Sequence, residues 1–353
     1  MSDEDVVSGY TFDLPDELIA QAPAPRRDAS RLMIVGKRTY AHRRFADLPE
    51  FLRDGDVLVL NETRVIAARI FGEREAGGRA EFLLLHPARS LRYDPDADRW
   101  IALAKPARRL KIGTTVAFGD YGRARVIAEE EGGIRELQFE LNLAFETFLE
   151  RAGTLPLPPY IRNDSPEAQA RYQTVFARVP GSVAAPTASL HYTPELLRSL
   201  EETGVEIVRI SLDVGLGTFR PMTADRLDDH VMHAESYVIP EEAAARIERA
   251  RRVGRRIVAA GTTVVRALEG NARSHGSIVP GEGTTDIFIR PGHRFEVVDA
   301  MITNFHLPHS SLLVLVSAFA GRERVLAAYR EAVAQRYRFF SFGDAMMIEV
   351  ARR

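Results

Sequence analysis

The sequence predicts a mixed α/β protein whose large domain is interrupted by a small, inserted antiparallel β-barrel. Three observations point there. Residues 63–151 hold about six short strand-like segments separated by turn-rich breaks, with no clear helix until the end. From residue 152 onward helical and strand-like segments alternate, the pattern of an α/β domain with much parallel sheet. Between the two lies Leu155-Pro156-Leu157-Pro158-Pro159-Tyr160, where three prolines remove backbone donors and enforce an extended crossing. The expected division is residues 1–62 with 152–353 for the large domain and 63–151 for the insert.

In chain order, the opening segment reads as short turns up to the apolar run Asp56 to Leu60, a buried strand. The insert follows with strands at Ala68 to Glu73, Ala80 to His86, Trp100 to Ala104, Thr115 to Phe118, Ala124 to Ala128 and Leu137 to Leu141. Breaks such as Ala76-Gly77-Gly78 separate them, and a helix near Leu143 to Ala152 closes the set. Beyond the prolines come a helix at Pro194 to Glu202 and a strand at Val205 to Leu212. A helix opening at Pro240 with Glu241 and Glu242 near its positive end stops at Gly254. Arg256 to Ala260 is a strand, Thr263 to Asn271 a helix and Asp286 to Ile289 a further strand. Ser311 to Ala320 is too short for a membrane span and reads as a buried helix or strand.

The chain of 353 residues carries no cysteine, which excludes disulfides, thiolate metal sites, iron–sulfur clusters and cysteine nucleophiles. With an acidic Met1 to Val7 lacking a secretory-signal pattern, a cytoplasmic protein without membrane association is expected. The net charge of -2 gives no global signature of a nucleic-acid binder. RNA contact therefore has to be local, with Arg26, Arg27 and Arg31, or Arg108, Arg109 and Lys111, as candidates. Only Lys37, Lys105 and Lys111 are lysines, and arginine alone grips phosphate or carboxylate through two parallel bonds.

Several segments can carry chemistry. Gly261-Thr262-Thr263 lies at a strand-to-helix turn, where free N–H groups bind a carboxylate or phosphate, and the hydroxyls either cap the helix or touch the ligand. Gly215-Leu216-Gly217-Thr218-Phe219 lets backbone approach a flat ligand with Phe219 as a stacking face, or is a tight turn with a core Phe. His191, His230, His233 and His306 fall in short polar–apolar motifs and are suited to proton transfer. The His230/His233 spacing fits one helix face, but no further ligand pattern supports a metal. Asp286, beside a glycine turn at the start of a strand, forms a turn or binds ribose hydroxyls or an amine. Arg64, after the Asp56–Leu60 strand, can grip a carboxylate or phosphate.

The ordered segments RRDASRL (Arg26 to Leu32), LNETRVI (Leu60 to Ile66), LPLPPYI (Leu155 to Ile161), VGLGTFRP (Val214 to Pro221), HVMHAE (His230 to Glu235), GTTVVRALE (Gly261 to Glu269), GEGTTDIFI (Gly281 to Ile289) and TNFHLP (Thr303 to Pro308) go further. Through them the chain resembles the S-adenosylmethionine:tRNA ribosyltransferase-isomerase family of queuosine biosynthesis over nearly its whole length. One departure is Ser189, where glycine is expected. The resemblance implies a large, barrel-like α/β domain with an inserted β-barrel. It implies ribosyl transfer and isomerisation from S-adenosylmethionine to 7-aminomethyl-7-deazaguanine in the tRNAs for Tyr, His, Asp and Asn, with adenine and methionine leaving. No cofactor beyond S-adenosylmethionine, no metal and no obligate protein partner is implied. Proton transfer then falls to His191, His233 and His306, with His230 behind them, and Asp286 orients ribose hydroxyls or the amine. Gly215, Gly217, Thr218, Phe219, Thr262, Thr263 and Arg64 are the candidates for holding S-adenosylmethionine.

Overall fold

The computed structural model describes residues 3–36, 39–215 and 222–349. The chain starts with an antiparallel hairpin, β1 (Arg31–Val35) and β2 (Tyr40–Arg44), where the sequence reads only turns. Next come β3 (Val57–Asn61) and the short β4 (Thr63–Val65), which leads into the insert. The insert contains β5 (Arg69–Arg74), β6 (Arg79–Pro87), β7 (Arg99–Lys105), β8 (Thr115–Ala117), β9 (Gly122–Glu129) and β10 (Ile134–Leu141), then α1 (Phe145–Ala152) and β11 (Gly153–Thr154). The remainder runs α2 (Pro166–Arg171), β12 (Val179–Ser182), α3 (Pro194–Glu202), β13 (Glu206–Leu212), β14 (Glu235–Ile239), α4 (Glu241–Arg252), β15 (Ile257–Ala260), α5 (Thr262–His275), β16 (Gly281–Thr285), β17 (Ala300–Asn304), α6 (Ser311–Ala320), α7 (Arg322–Ala334) and β18 (Ala345–Glu349).

The insert is a closed antiparallel barrel. Its strands pair in the order β5-β6-β7-β10-β9-β8, and β8 returns to β5 through Glu73↔Ala117 and Arg74↔Val116. Alternate residues point inward, so Ala80, Phe82 and Leu84 of β6 are buried between more exposed neighbours. Closure brings the backbone of β5 against β8: a Cβ on Gly72 would lie 2.6 Å from the Ala117 carbonyl oxygen, so glycine is required there. Helix α1 plugs the barrel with Phe145, which stacks on Trp100 at 4.8 Å, and with Phe148.

The large sheet has nine strands in the order β16-β14-β13-β3-β15-β17-β18-β1-β2. Strands β13, β3, β15 and β17 are mutually parallel and lie at the centre. They are mostly apolar and largely buried because both faces are covered, with Glu206 and Arg209 of β13 the charged exceptions. Val57, Val59, Ile210 and Met301 meet α4, α5, α6 and α7 on one side. Leu58, Leu60, Ile207 and Ile302 meet α3 and the 3₁₀ turn Phe45–Glu50 on the other. This layering corrects the barrel-like closure expected of the large domain. With helices packed on both faces the sheet stays open, and among the described residues nothing pairs β16 with β2. Helix starts follow local chemistry: Thr193 Oγ1 accepts from Leu196 N–H with Pro194 at the first position of α3.

Two local readings are also corrected. Asp286 to Ile289 is irregular, and the strand is the preceding Gly281–Thr285, because Thr285 and its neighbours supply the pairing edge for β14. Residues 230–234 form no helix, and His230 itself is extended, so His230 and His233 do not share a helix face. No helix among the described residues is long and apolar enough to cross a membrane.

Candidate active site at the carboxyl ends of the central strands

The four parallel strands end at Asn61, Leu212, Ala260 and Asn304, and open α/β sheets bind ligands at this edge. Here β15 turns into α5 through Gly261, whose φ of 101° favours glycine. Gly261 is the N-cap and offers no side chain, so Thr262 and Thr263 are the first helical residues rather than caps. The N–H groups of this first turn have no partner inside the helix. Thr263 Oγ1 is buried without a hydrogen-bond partner among the described residues. A small cavity faces this helix end, lined by Thr262, Thr263, Asn304, His306, Phe340 and Ser341 among others.

His306 is buried in the wall of that cavity. Its Nε2 shares a 2.9 Å hydrogen bond with Thr303 Oγ1, and burial pulls its pKa down to about 3. His191 is also buried, stacked on Phe45 at 4.8 Å. Both of its ring nitrogens are engaged: Nδ1 lies 2.7 Å from Ser30 Oγ and Nε2 lies 2.9 Å from Asn304 Oδ1. Asn304 Nδ2 donates to the carbonyls of Phe340 and Ser341, which leaves Oδ1 as the acceptor facing the histidine. His191 Nε2 therefore carries the proton and Nδ1 accepts from Ser30. Burial pulls its pKa down to about 4. Both histidines are neutral at pH 7, and His191 is tied to Asn304 by its Nε2.

A carboxylate that sequence reasoning passed over precedes the cavity-lining Val214. Asp213 follows β13, and burial pushes its pKa up to about 6, against hydroxyl donors from Thr63 at 3.0 Å and Ser236 at 3.1 Å. Its neighbour Val214 lines the cavity. Ser236 Oγ also lies 3.2 Å from the Leu91 carbonyl oxygen, which joins a barrel loop to this edge. Gly215 N–H donates to Glu235 Oε1 at 3.2 Å, and Glu235 forms a fully buried ion pair with Arg266 of α5. Arg266 also donates to the carbonyls of His233 and Thr285. The pair fixes where the 215–219 segment begins. Gly217, Thr218 and Phe219 themselves lie outside the described residues.

The other candidates are not brought to the cavity. His230 packs edge-on against Phe288 at 5.0 Å, with its pKa lowered by burial and by His233, and His233 is exposed. Asp286 is exposed beside Arg273 and Ser274, about three turns along α5. Arg64 is exposed in the middle of β4. Ser189 needs no glycine backbone: it lies in the 3₁₀ turn Thr187–Ser189 without a positive φ, and its hydroxyl is buried without a partner. Among the described residues no three His, Cys, Asp or Glu side chains group to hold a metal.

Comparison with known proteins adds the chemical context. Residues 7–348 match the family described as Queuosine biosynthesis protein. The S-adenosylmethionine:tRNA ribosyltransferase-isomerase of Symbiobacterium thermophilum is 54% identical over 97% of this chain and 99% of its own length. The protein of the same name from Gloeobacter violaceus is 51% identical over 97% of this chain and 96% of its own. The crystal structure of S-adenosylmethionine tRNA ribosyltransferase from Thermotoga maritima covers 98% of this chain at 36% identity, with a TM-score of 0.54.

Proposed function

The chain belongs to the queuosine biosynthesis family, and from that premise we propose that it transfers and isomerises the ribosyl group of S-adenosylmethionine onto 7-aminomethyl-7-deazaguanine at the tRNA wobble position. The products are epoxyqueuosine-tRNA, adenine and methionine. In this reading the tRNAs for Tyr, His, Asp and Asn are substrates in the cytoplasm, and S-adenosylmethionine is needed without another cofactor. Residues 1–62 with 152–353 are the catalytic domain and 63–151 the insert. The observation that carries it is the near full-length likeness, at about half identity, to enzymes of that name.

The geometry supports a division of labour. A base has to take the proton from the carbon beside the sulfonium, adenine has to leave with a proton, and the amine has to attack uncharged. Proton transfer is most efficient from a group titrating near the working pH. Asp213, at about 6, suits that task better than either buried histidine. His306 serves as a neutral hydrogen-bonding wall, and His191 positions Asn304. The first turn of α5, with Thr262 and Thr263, takes the methionine carboxylate, while Gly215, Gly217, Thr218 and Phe219 cover the adenine. Arg64, on the strand leading to the insert, faces the tRNA.

Chromatography of S-adenosylmethionine incubated with and without tRNA bearing the aminomethyl-deazaguanine base tests this reading. Adenine release that depends on the modified tRNA is expected. Tight tRNA binding without release would overturn it.

A further inference from the structure

A second cavity adjoins the first. It is lined by Arg27, Ser30, Arg171, His191, Arg338 and Ser341 among others, and Ser341 also lines the catalytic cavity. His191 spans the two, with Ser30 on one ring nitrogen and Asn304 on the other. The described residues around this second cavity include three arginines and no acid.

The arginines are held by backbone rather than by carboxylates. Arg27 Nη1 donates to the carbonyls of Leu190 at 3.1 Å and Arg171 at 3.4 Å. Arg171 donates through Nη2 to Ala24 and through Nη1 to Pro25, and its Nε is buried without a partner among the described residues. Neither forms an ion pair with a described residue. Arg338 reaches Asp344 at 3.5 Å, the nearest compensation in the cluster. Burial and the adjacent Arg171 pull the Arg27 pKa down to about 10, so Arg27 remains a cation at neutral pH. Half-buried like charges are normally paired with acid or left in water. Here carbonyl grips aim two guanidiniums at one opening with donors to spare, the arrangement that phosphate oxygens complete.

Other basic groups near in sequence are occupied. Arg26 pairs with Asp28 at 3.0 Å, Arg31 lies over the Tyr337 ring at 3.6 Å, and Lys111 of the barrel pairs with Glu129 at 3.2 Å.

We propose that Arg27 and Arg171, with Arg338 at the rim, bind a backbone phosphate of the RNA substrate next to the nucleotide being modified. This rests on the reading above that the acceptor is RNA. The chain Ser30–His191–Asn304 then joins the phosphate pocket to the catalytic cavity, so a correctly seated backbone also braces Asn304.

The test is fluorescence anisotropy of an anticodon stem-loop RNA, titrated at several salt concentrations, with separate measurement of S-adenosylmethionine binding. Arg27→Gln and Arg171→Gln are each expected to weaken RNA binding about tenfold. Each is expected to make the dependence of log affinity on log salt shallower by roughly 0.7 to 1. Arg27→Lys and Arg171→Lys keep the charge but lose the two-pronged grip, so RNA binding is expected to weaken several-fold with a slope close to that of the wild type, and they serve if the glutamine variants fail to fold. Unchanged RNA affinity and slope in folded variants would overturn the proposal. So would weakened S-adenosylmethionine binding with intact RNA binding, since the anion would then be the amino-acid carboxylate. Wild-type RNA binding without adenine release would unseat the function above and leave this site standing.

Discussion

The two ends of the central sheet use polar groups in opposite ways. At the amino ends of β3, β15 and β17 a broad groove is lined by Arg53, Arg251, Arg252, Arg255, Arg256 and Arg324. Glu248, Glu296, Asp299 and Glu349 line it beside them. Most of that basic charge is spent internally. Arg256 grips Asp56 and Glu349, Arg255 grips Glu206, Arg251 grips Glu248, and Arg324 donates to the carbonyls of Val35 and Gly36. At the carboxyl ends, by contrast, Thr263 Oγ1 and Arg171 Nε are buried without partners, and Arg27 and Arg171 face each other without an acid. A satisfied arginine holds the fold together. An unsatisfied one at a cavity marks where a ligand belongs.

The sharpest way to break this contrast is at the base. Asp56→Ala leaves the largely buried Arg256 with the exposed Glu349 as its one carboxylate, beside the Phe51 carbonyl, and removes the acceptor for Arg53 N–H. A loss of about 3–5 kcal/mol in denaturant-derived stability is expected, with substrate binding unchanged in the protein that remains folded. At the other end, acid should act through burial. The His306 pKa, about 3 in the folded protein, lies below the unfolded value near 6.5, so the unfolded chain takes up its proton first. Stability falls as pH drops from about 6.5 toward 3, by about 1.4 kcal/mol per pH unit for this group. Asp213 has the opposite sign, because its folded pKa of about 6 lies above the unfolded carboxylate range and its penalty lifts on acidification. His306→Gln should flatten the acid limb of a stability–pH curve, and an unaltered limb would mean that His306 is not buried and neutral. The smallest effect belongs to Thr263→Val. Removing an unpartnered hydroxyl should leave stability unchanged or raised by less than about 1 kcal/mol, while S-adenosylmethionine binding, followed by calorimetry, weakens about tenfold. A clear loss of stability would show that the hydroxyl is a structural cap.

Much of the insert was legible in the sequence because its strands alternate buried and exposed residues and end at glycine turns, as in β6 and at Gly77 and Gly78. The hairpin β1–β2 and the strands β14, β17 and β18 were not. Runs such as Ala300–Asn304 and Ala345–Glu349 are only five residues long, and four or all five of them are buried, so no periodicity separates strand from helix. In the site, histidine as a residue type was visible, but neutrality was not. It comes from burial by segments far along the chain, which for His191 outweighs the opposing hydrogen bond to Asn304. Asp213 escaped notice because a lone carboxylate after an apolar strand looks like a turn.

By itself, the sequence determined the α/β class, the inserted barrel and, through its ordered motifs, the family. Those properties live in short-range periodicity and in residue order, which survive without coordinates. Only the tertiary structure decided that the large sheet stays open, that both ring nitrogens of His191 are engaged by Ser30 and Asn304, and that Arg27 meets Arg171 across 144 residues of chain without an acid between them. Burial and pairing depend on which distant segments pack together, and a pKa or an unpaired charge is a property of that packing rather than of the residue.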